Sequence, residues 1–107
     1  MPEYILILST VPDEAEGRKI GRLLVEERLA ACVTQSPLSI SIYHWKGAVT
    51  EDKEHLLLIK TKKDLFPRIE KRIREVHPYD IPEIIALPVT AGSEKYLDWI
   101  DQETKKP

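Results

Sequence analysis

Leu38-Ser39-Ile40-Ser41-Ile42-Tyr43-His44-Trp45-Lys46-Gly47 is the stretch on which the reading of the fold turns. Leu38, Ile40 and Ile42 alternate with Ser39, Ser41 and Tyr43, the two-residue period of a half-buried strand. Lys46-Gly47 supplies a tight turn with a glycine for positive φ, so the chain from Ala48 returns antiparallel and ends in the buried centre Leu56-Leu57-Leu58-Ile59. Pro37 cannot donate to a ladder, which places it at an edge or a bulge, after a shorter extended piece at Cys32-Val33-Thr34. The central feature is therefore a long hairpin.

Working outward, each side of the hairpin carries one helix and one strand. Tyr4-Ile5-Leu6-Ile7-Leu8 reads as a central strand buried on both faces or nearly so. Asp13 and Glu16 resemble a capping box that opens a helix with Gly17, Ile20, Gly21, Leu23, Leu24 and Ala31 on one face. The two glycines cost helix propensity, about 1 kcal/mol each, and close approach to the sheet would compensate. Downstream, Leu65/Phe66, Ile69, Ile73 and Val76 repeat at three and four. That predicts a second helix starting near Asp64, with Pro67 in its first turn and Pro78 as its stop. Glu83 to Thr90 reads as the last strand, and Gly92-Ser93 as the cap of a short third helix. The order β-α-β-β-α-β-α over a single domain, residues 1–107, predicts an α+β, ferredoxin-like sandwich. The third helix is an addition at the C-terminus.

Composition removes several function classes. Net charge is −2, which gives no global attraction to nucleic acid. RNA binding on such a sheet needs aromatic residues on the central strands, and these are aliphatic. No apolar run approaches a membrane span, and the N-terminal one is too short for a signal sequence. Cys32, the only cysteine, cannot form an intrachain disulfide; a cytoplasmic protein is expected. The loop after the first strand, Thr10-Val11-Pro12-Asp13-Glu14, is acidic and would repel phosphate. No activated nucleophile is evident, so no enzymatic activity is expected. His44, His55 and His77 lack a second ligand at zinc-site spacing. His77 ends the second helix, where an imidazole can satisfy carbonyls; Tyr79, Asp80 and Glu83 lie close by in sequence, which makes a metal contact there the functional alternative. One local charge imbalance stands out: Lys60 to Glu75 carries seven basic and three acidic residues. It suits a solvated helix face, and its Lys60–Lys63 end motivates a second reading, a scaffold holding a small anion or a partner protein between subunits.

Four segments together resemble the CutA family of divalent-cation tolerance proteins. They are Ser9 to Ala15, Leu24 to Val33 with Leu29-Ala30-Ala31-Cys32-Val33, Ser41 to Gly47, and His77 to Ala86 with His77-Pro78-Tyr79. Tyr96-Leu97-Asp98-Trp99-Ile100 completes the likeness from about Ile5 to Ile100. The resemblance implies a ferredoxin-like subunit in a homotrimer similar to the PII signalling proteins, without established enzymatic activity. It further implies binding of Cu(II) or another divalent cation. The implied ligands are the thiol of Cys32 and the imidazole of His77, to which Glu83 is added as a carboxylate candidate. Some members carry a further thiol where this chain has Ser9, which disfavours soft Cu(I) and leaves Cu(II) as the expected ion. The residues themselves favour assembly too. A long hairpin leaves unpaired backbone on an edge, and pairing between copies would bury Leu38, Ile40 and Ile42 with Tyr43 and Trp45 as contact residues.

Overall fold

A computed structural model describes residues 2–106. The element order is β1 (Tyr4–Val11), α1 (Glu14–Glu26), β2 (Cys32–Gln35), β3 (Ser39–Trp45), β4 (Ala48–Lys62), α2 (Phe66–Val76), β5 (Ile85–Pro88) and α3 (Glu94–Glu103), with a 3₁₀ turn at Lys63–Leu65. The sheet runs β2-β4-β1-β5, and β3 pairs with the distal half of β4. All these pairings are antiparallel. This is the expected α+β sandwich with its C-terminal helix added.

β1 alternates instead of being buried on both faces. Ile5, Ile7, Ser9 and Val11 are buried, whereas Tyr4, Leu6, Leu8 and Thr10 are only partly covered. The buried set meets Leu57, Ile59 and Thr61 of β4 and packs with Ile20 and Leu24 of α1 and Ile69 and Ile73 of α2. Both long helices thus lie on one face of the sheet. The other face is covered at one end by α3, where Lys62 reaches Asp101 at 2.9 Å, and at the other by the loop after α2, where Tyr79 meets Glu54. Leu6, Leu8, Leu56 and Leu58 sit on that helix-free face, joined by the exposed Ile85 and Leu87 of β5.

Local chemistry sets the element ends. Asp13 caps α1 by accepting the Glu16 N–H at 2.8 Å. Arg28, at φ 58°, ends the helix in the left-handed conformation, with Leu29 and Ala30 both returning to the Leu24 carbonyl. Lys46 and Gly47, at φ 50° and 81°, form the primed turn that matches strand twist. The last strand is four residues long, Ile85–Pro88, shorter than the Glu83–Thr90 expected. Only Ile85 to Pro88 find partners on β1, opposite Leu8 to Ile5. Ser93 stands at the N-cap of α3 without a side-chain cap bond.

The join between β2 and β3 is a bulge. Gln35 lies opposite Leu57 and Ser39 opposite Glu54, so three residues on one strand face two on the other. The Ser36 hydroxyl accepts the Leu56 N–H at 2.8 Å in place of a main-chain carbonyl, while the Ser36 carbonyl meets His55 Nδ1 at 2.9 Å. The extra residue reverses which side chains face which way. Tyr43 and Trp45 consequently share the helix-free face with Asp52 and Glu54.

Candidate functional site

The site grows from the end of α2. His77 caps that helix through its backbone N–H to the Ile73 carbonyl. The chain then turns extended, because Pro78 cannot continue the helix. The buried imidazole is held on both nitrogens: Nε2–H donates to the Thr10 carbonyl at 2.7 Å, and Nδ1 accepts the Tyr79 N–H at 3.1 Å. Since a carbonyl only accepts and the Tyr79 amide only donates, the ring is the neutral Nε2–H tautomer. Tyr79 packs against it at 4.8 Å between centroids, and its hydroxyl donates to Glu54 Oε1 at 2.8 Å. Thr10, His77, Tyr79 and Glu54 form one connected chain that pins the loop after α2 to β1 and β4.

Between this loop and the hairpin opens a cavity of about 620 Å³. Tyr43, Trp45 and Tyr79 supply aromatic walls, Ile42 and Ile81 apolar ones, and Asp52, Glu54, Asp80 and Glu83 carboxylates. Among the described residues no Lys, Arg or His lines it. The electrostatic effect is visible in the neighbouring acids. Burial, then the Glu54 charge, raises the Glu83 pKa above the ordinary glutamate value. Burial and the bond to Glu54 push the Tyr79 hydroxyl up, and the bond to Asp52 does the same for Tyr43.

The three metal candidates from the sequence are dispersed in one chain. Cys32 stands opposite Lys60, itself opposite Leu6, whereas His77 is tied to Thr10. Four residues of β1 separate the two levels, about 13 Å at strand rise. Cys32 is partly exposed on the helix-free face, with Thr34 Oγ1 at 3.8 Å and Lys60 Nζ at 3.7 Å. Glu83 belongs to the cavity, beside Glu54. Among the described residues no three His, Cys, Asp or Glu side chains converge as a metal centre. His77 presents no free donor atom, because Thr10 and Tyr79 occupy both nitrogens. Asp52, Glu54 and the aromatic pair were not singled out as site residues from sequence. Their common signal, the strand parity, is legible only once the bulge is placed.

The cationic run is largely engaged within the chain. Lys62 pairs with Asp101, Lys63 with Glu3, and Lys60 donates to Thr34 at 3.2 Å. Nor does a second groove, along α1 and the β2 edge, hold free positive charge, since Arg18 and Arg22 pair with Glu14 and Glu26.

The family model described as CutA1 divalent ion tolerance protein matches residues 5–103. A divalent-cation tolerance protein CutA from Thermus thermophilus is 51% identical over 97% of this chain and 99% of its own. A CutA protein of Homo sapiens is 48% identical over 90% of this chain, which spans 54% of that relative. Among solved structures, CutA1 of Oryza sativa superposes with a TM-score of 0.97 at 38% identity, covering 99% and 97% of the two chains. The Thermus thermophilus structure gives 0.93 at 49% identity, covering 95% and 99%.

Proposed function

Because the chain belongs to the CutA1 divalent ion tolerance family, we propose that it is a homotrimeric protein that binds a divalent cation, Cu(II) foremost, and catalyses no reaction. The observation that carries the assembly is the uncovered apolar surface. Ile40, Ile42 and Val49 on the hairpin are each about two-thirds exposed, and the helix-free face presents a further aliphatic patch. The accessible surface is 7116 Å², against about 6100 Å² for a compact monomer of this mass. An excess of about 1000 Å² matches a protruding ribbon that other copies cover.

Cys32 supplies a thiol on the open face for the metal. The imidazole of His77 joins it only if Tyr79 releases Nδ1, and the separation within a chain then requires Cys32 and His77 from different copies. Glu83 is the carboxylate candidate, reached from the cavity. The nearest polar atoms to Cys32 Sγ are the Thr34 hydroxyl and the Lys60 ammonium. No helix among the described residues is long and apolar enough to cross a membrane. Light scattering with native mass spectrometry, with and without Cu(II), tests the reading. Three copies and integral copper are expected; a monomer at micromolar concentration, or a copper-free trimer in excess Cu(II), overturns it. Calorimetry on Cys32→Ser and His77→Ala then assigns the donors, each expected to weaken Cu(II) binding if it ligates.

A further inference from the structure

We propose that α3 and the residues just after it form a displaceable strap, latched by two ion pairs, whose opening releases the Arg28–Ala31 turn that leads into Cys32 while the rest of the core stays folded. The inference depends neither on copper binding nor on assembly.

By itself the strap is weakly built. α3 is ten residues long, short of the about 12–15 at which an isolated helix becomes even marginal in water. Ser93 gives it no side-chain cap, and its last turn carries no basic residue. Asp101 and Glu103 lie there instead, where the helix dipole disfavours acids. Of residues 94–104 only Ile100 and Thr104 are buried. Tyr96 and Trp99 stay 43% and 39% exposed and pack against each other, at 5.5 Å between ring centroids. An element with so little apolar burial belongs to the low end of local stability.

Charge holds it down. Lys62 Nζ, on a side chain only 7% exposed, meets Asp101 Oδ1 at 2.9 Å. Arg28 Nη1 meets Glu103 Oε2 at 3.0 Å, and the Arg28 carbonyl accepts the Lys105 N–H at 2.8 Å. Asp101 offsets the desolvation of the buried Lys62 ammonium. When the strap lifts, water replaces Asp101, so opening strands no charge.

The second latch falls on a strained residue. Arg28 has φ 58°, a left-handed conformation that a residue other than glycine holds only where its surroundings impose it. The strap grips Arg28 by both its side chain and its carbonyl. Immediately downstream, Leu29 and Ala30 donate to the Leu24 carbonyl and Ala31 to that of Lys60, which sets the entry of β2 at Cys32. Lifting α3 removes the restraint on Arg28 and thereby loosens these three amides. The C-terminus and the entry to the Cys32 strand move as one unit.

Amide hydrogen exchange of the full-length protein, followed residue by residue by NMR, tests this. Amides of residues 97–103 are expected to exchange about tenfold or more faster than those of Leu57 and Ile59. Glu103→Gln and Asp101→Asn should each speed exchange in α3 about threefold and speed Leu29–Ala31 by the same factor, with Leu57 and Ile59 unchanged. Both substitutions relieve the clash with the helix dipole, so faster exchange reports the lost latch and slower exchange overturns the proposal. Lys95→Gln, at an exposed position of α3 in no ion pair among the described residues, should leave both segments unchanged. Wild-type exchange of α3 in step with Leu57 and Ile59 overturns the proposal, since the helix would then open only with the core. Latch variants that speed α3 but not Leu29–Ala31 overturn it equally, because the helix would then be a fraying end uncoupled from the turn.

Discussion

At the scale of single residues, His77 shows how one side chain can resemble a ligand and serve as a strut. Its role in ending α2 was legible from His77-Pro78, but its acceptor, the Thr10 carbonyl, lies 67 residues away. His77→Ala should therefore cost about 2 kcal/mol of stability without any metal present, read from guanidinium unfolding; unchanged stability would return the imidazole to a purely ligating role. Ser9 is fully buried, and its hydroxyl has no partner. Ser9→Ala should stabilise the protein by about 1 kcal/mol, because a desolvated, unsatisfied hydroxyl is removed. A lower unfolding midpoint would contradict that. Glu83 has a raised pKa in the folded state, so folding favours its protonated form. Its contribution is most favourable below the unfolded value, about 4.3, and is lost as pH rises through the folded value. Glu83→Gln should accordingly raise stability at neutral pH, and the gain should vanish in acid. A gain that persists unchanged at low pH would rule out the electrostatic cause.

At the scale of elements, sequence periodicity located both long helices and the turn, and the residues that break propensity rules explain themselves in three dimensions. A Cβ on Gly17 would stand 2.8 Å from Gln35 Cδ and 3.0 Å from Val11 Cγ2. Gly17→Ala should lower stability by about 1 kcal/mol, the crowding outweighing the gain in helix propensity; an increase would show that β2 yields to α1. Arg72 of α2 grips Glu27 through a forked pair of bonds at 2.8 and 3.0 Å, joining the two helices. The Arg72 hydrogen bonds hold the Glu27 carboxyl below its usual range. That contribution is present above the unfolded pKa and fades as pH falls through the folded one. Arg72→Ala should thus lower the denaturation midpoint at neutral pH and less so in acid or high salt. β5 was overestimated because its Ile-rich sequence reads as strand while β1 pairs with only four of its residues.

At the scale of the whole molecule, shape carries the argument. The radius of gyration is 14.4 Å, against about 13 Å for a compact chain of this length, and the long axis is 45 Å against 25 and 23 Å. The excess is the hairpin, whose aliphatic residues find no cover within one chain. Under the trimeric reading, Ile42→Asp should shift sedimentation toward smaller species and lower thermal stability, since each buried aliphatic side chain contributes about 1.5–3 kcal/mol. An unaltered sedimentation coefficient would move the interface elsewhere.

Hydrophobic period, turn residues and caps are local properties, and the sequence alone determined the order of elements and the central pair of strands; it carried the first helix on to Ala31, five residues past its end at Glu26. Parity is not local. One additional residue at Ser36–Leu38 turns Tyr43 and Trp45 toward Asp52 and Glu54, and nothing in the alternation of Leu38 to Trp45 reveals which side that will be. Tertiary structure also decided that Cys32 and His77 lie at different levels of the sheet, because strand register, not spacing along the chain, sets that distance.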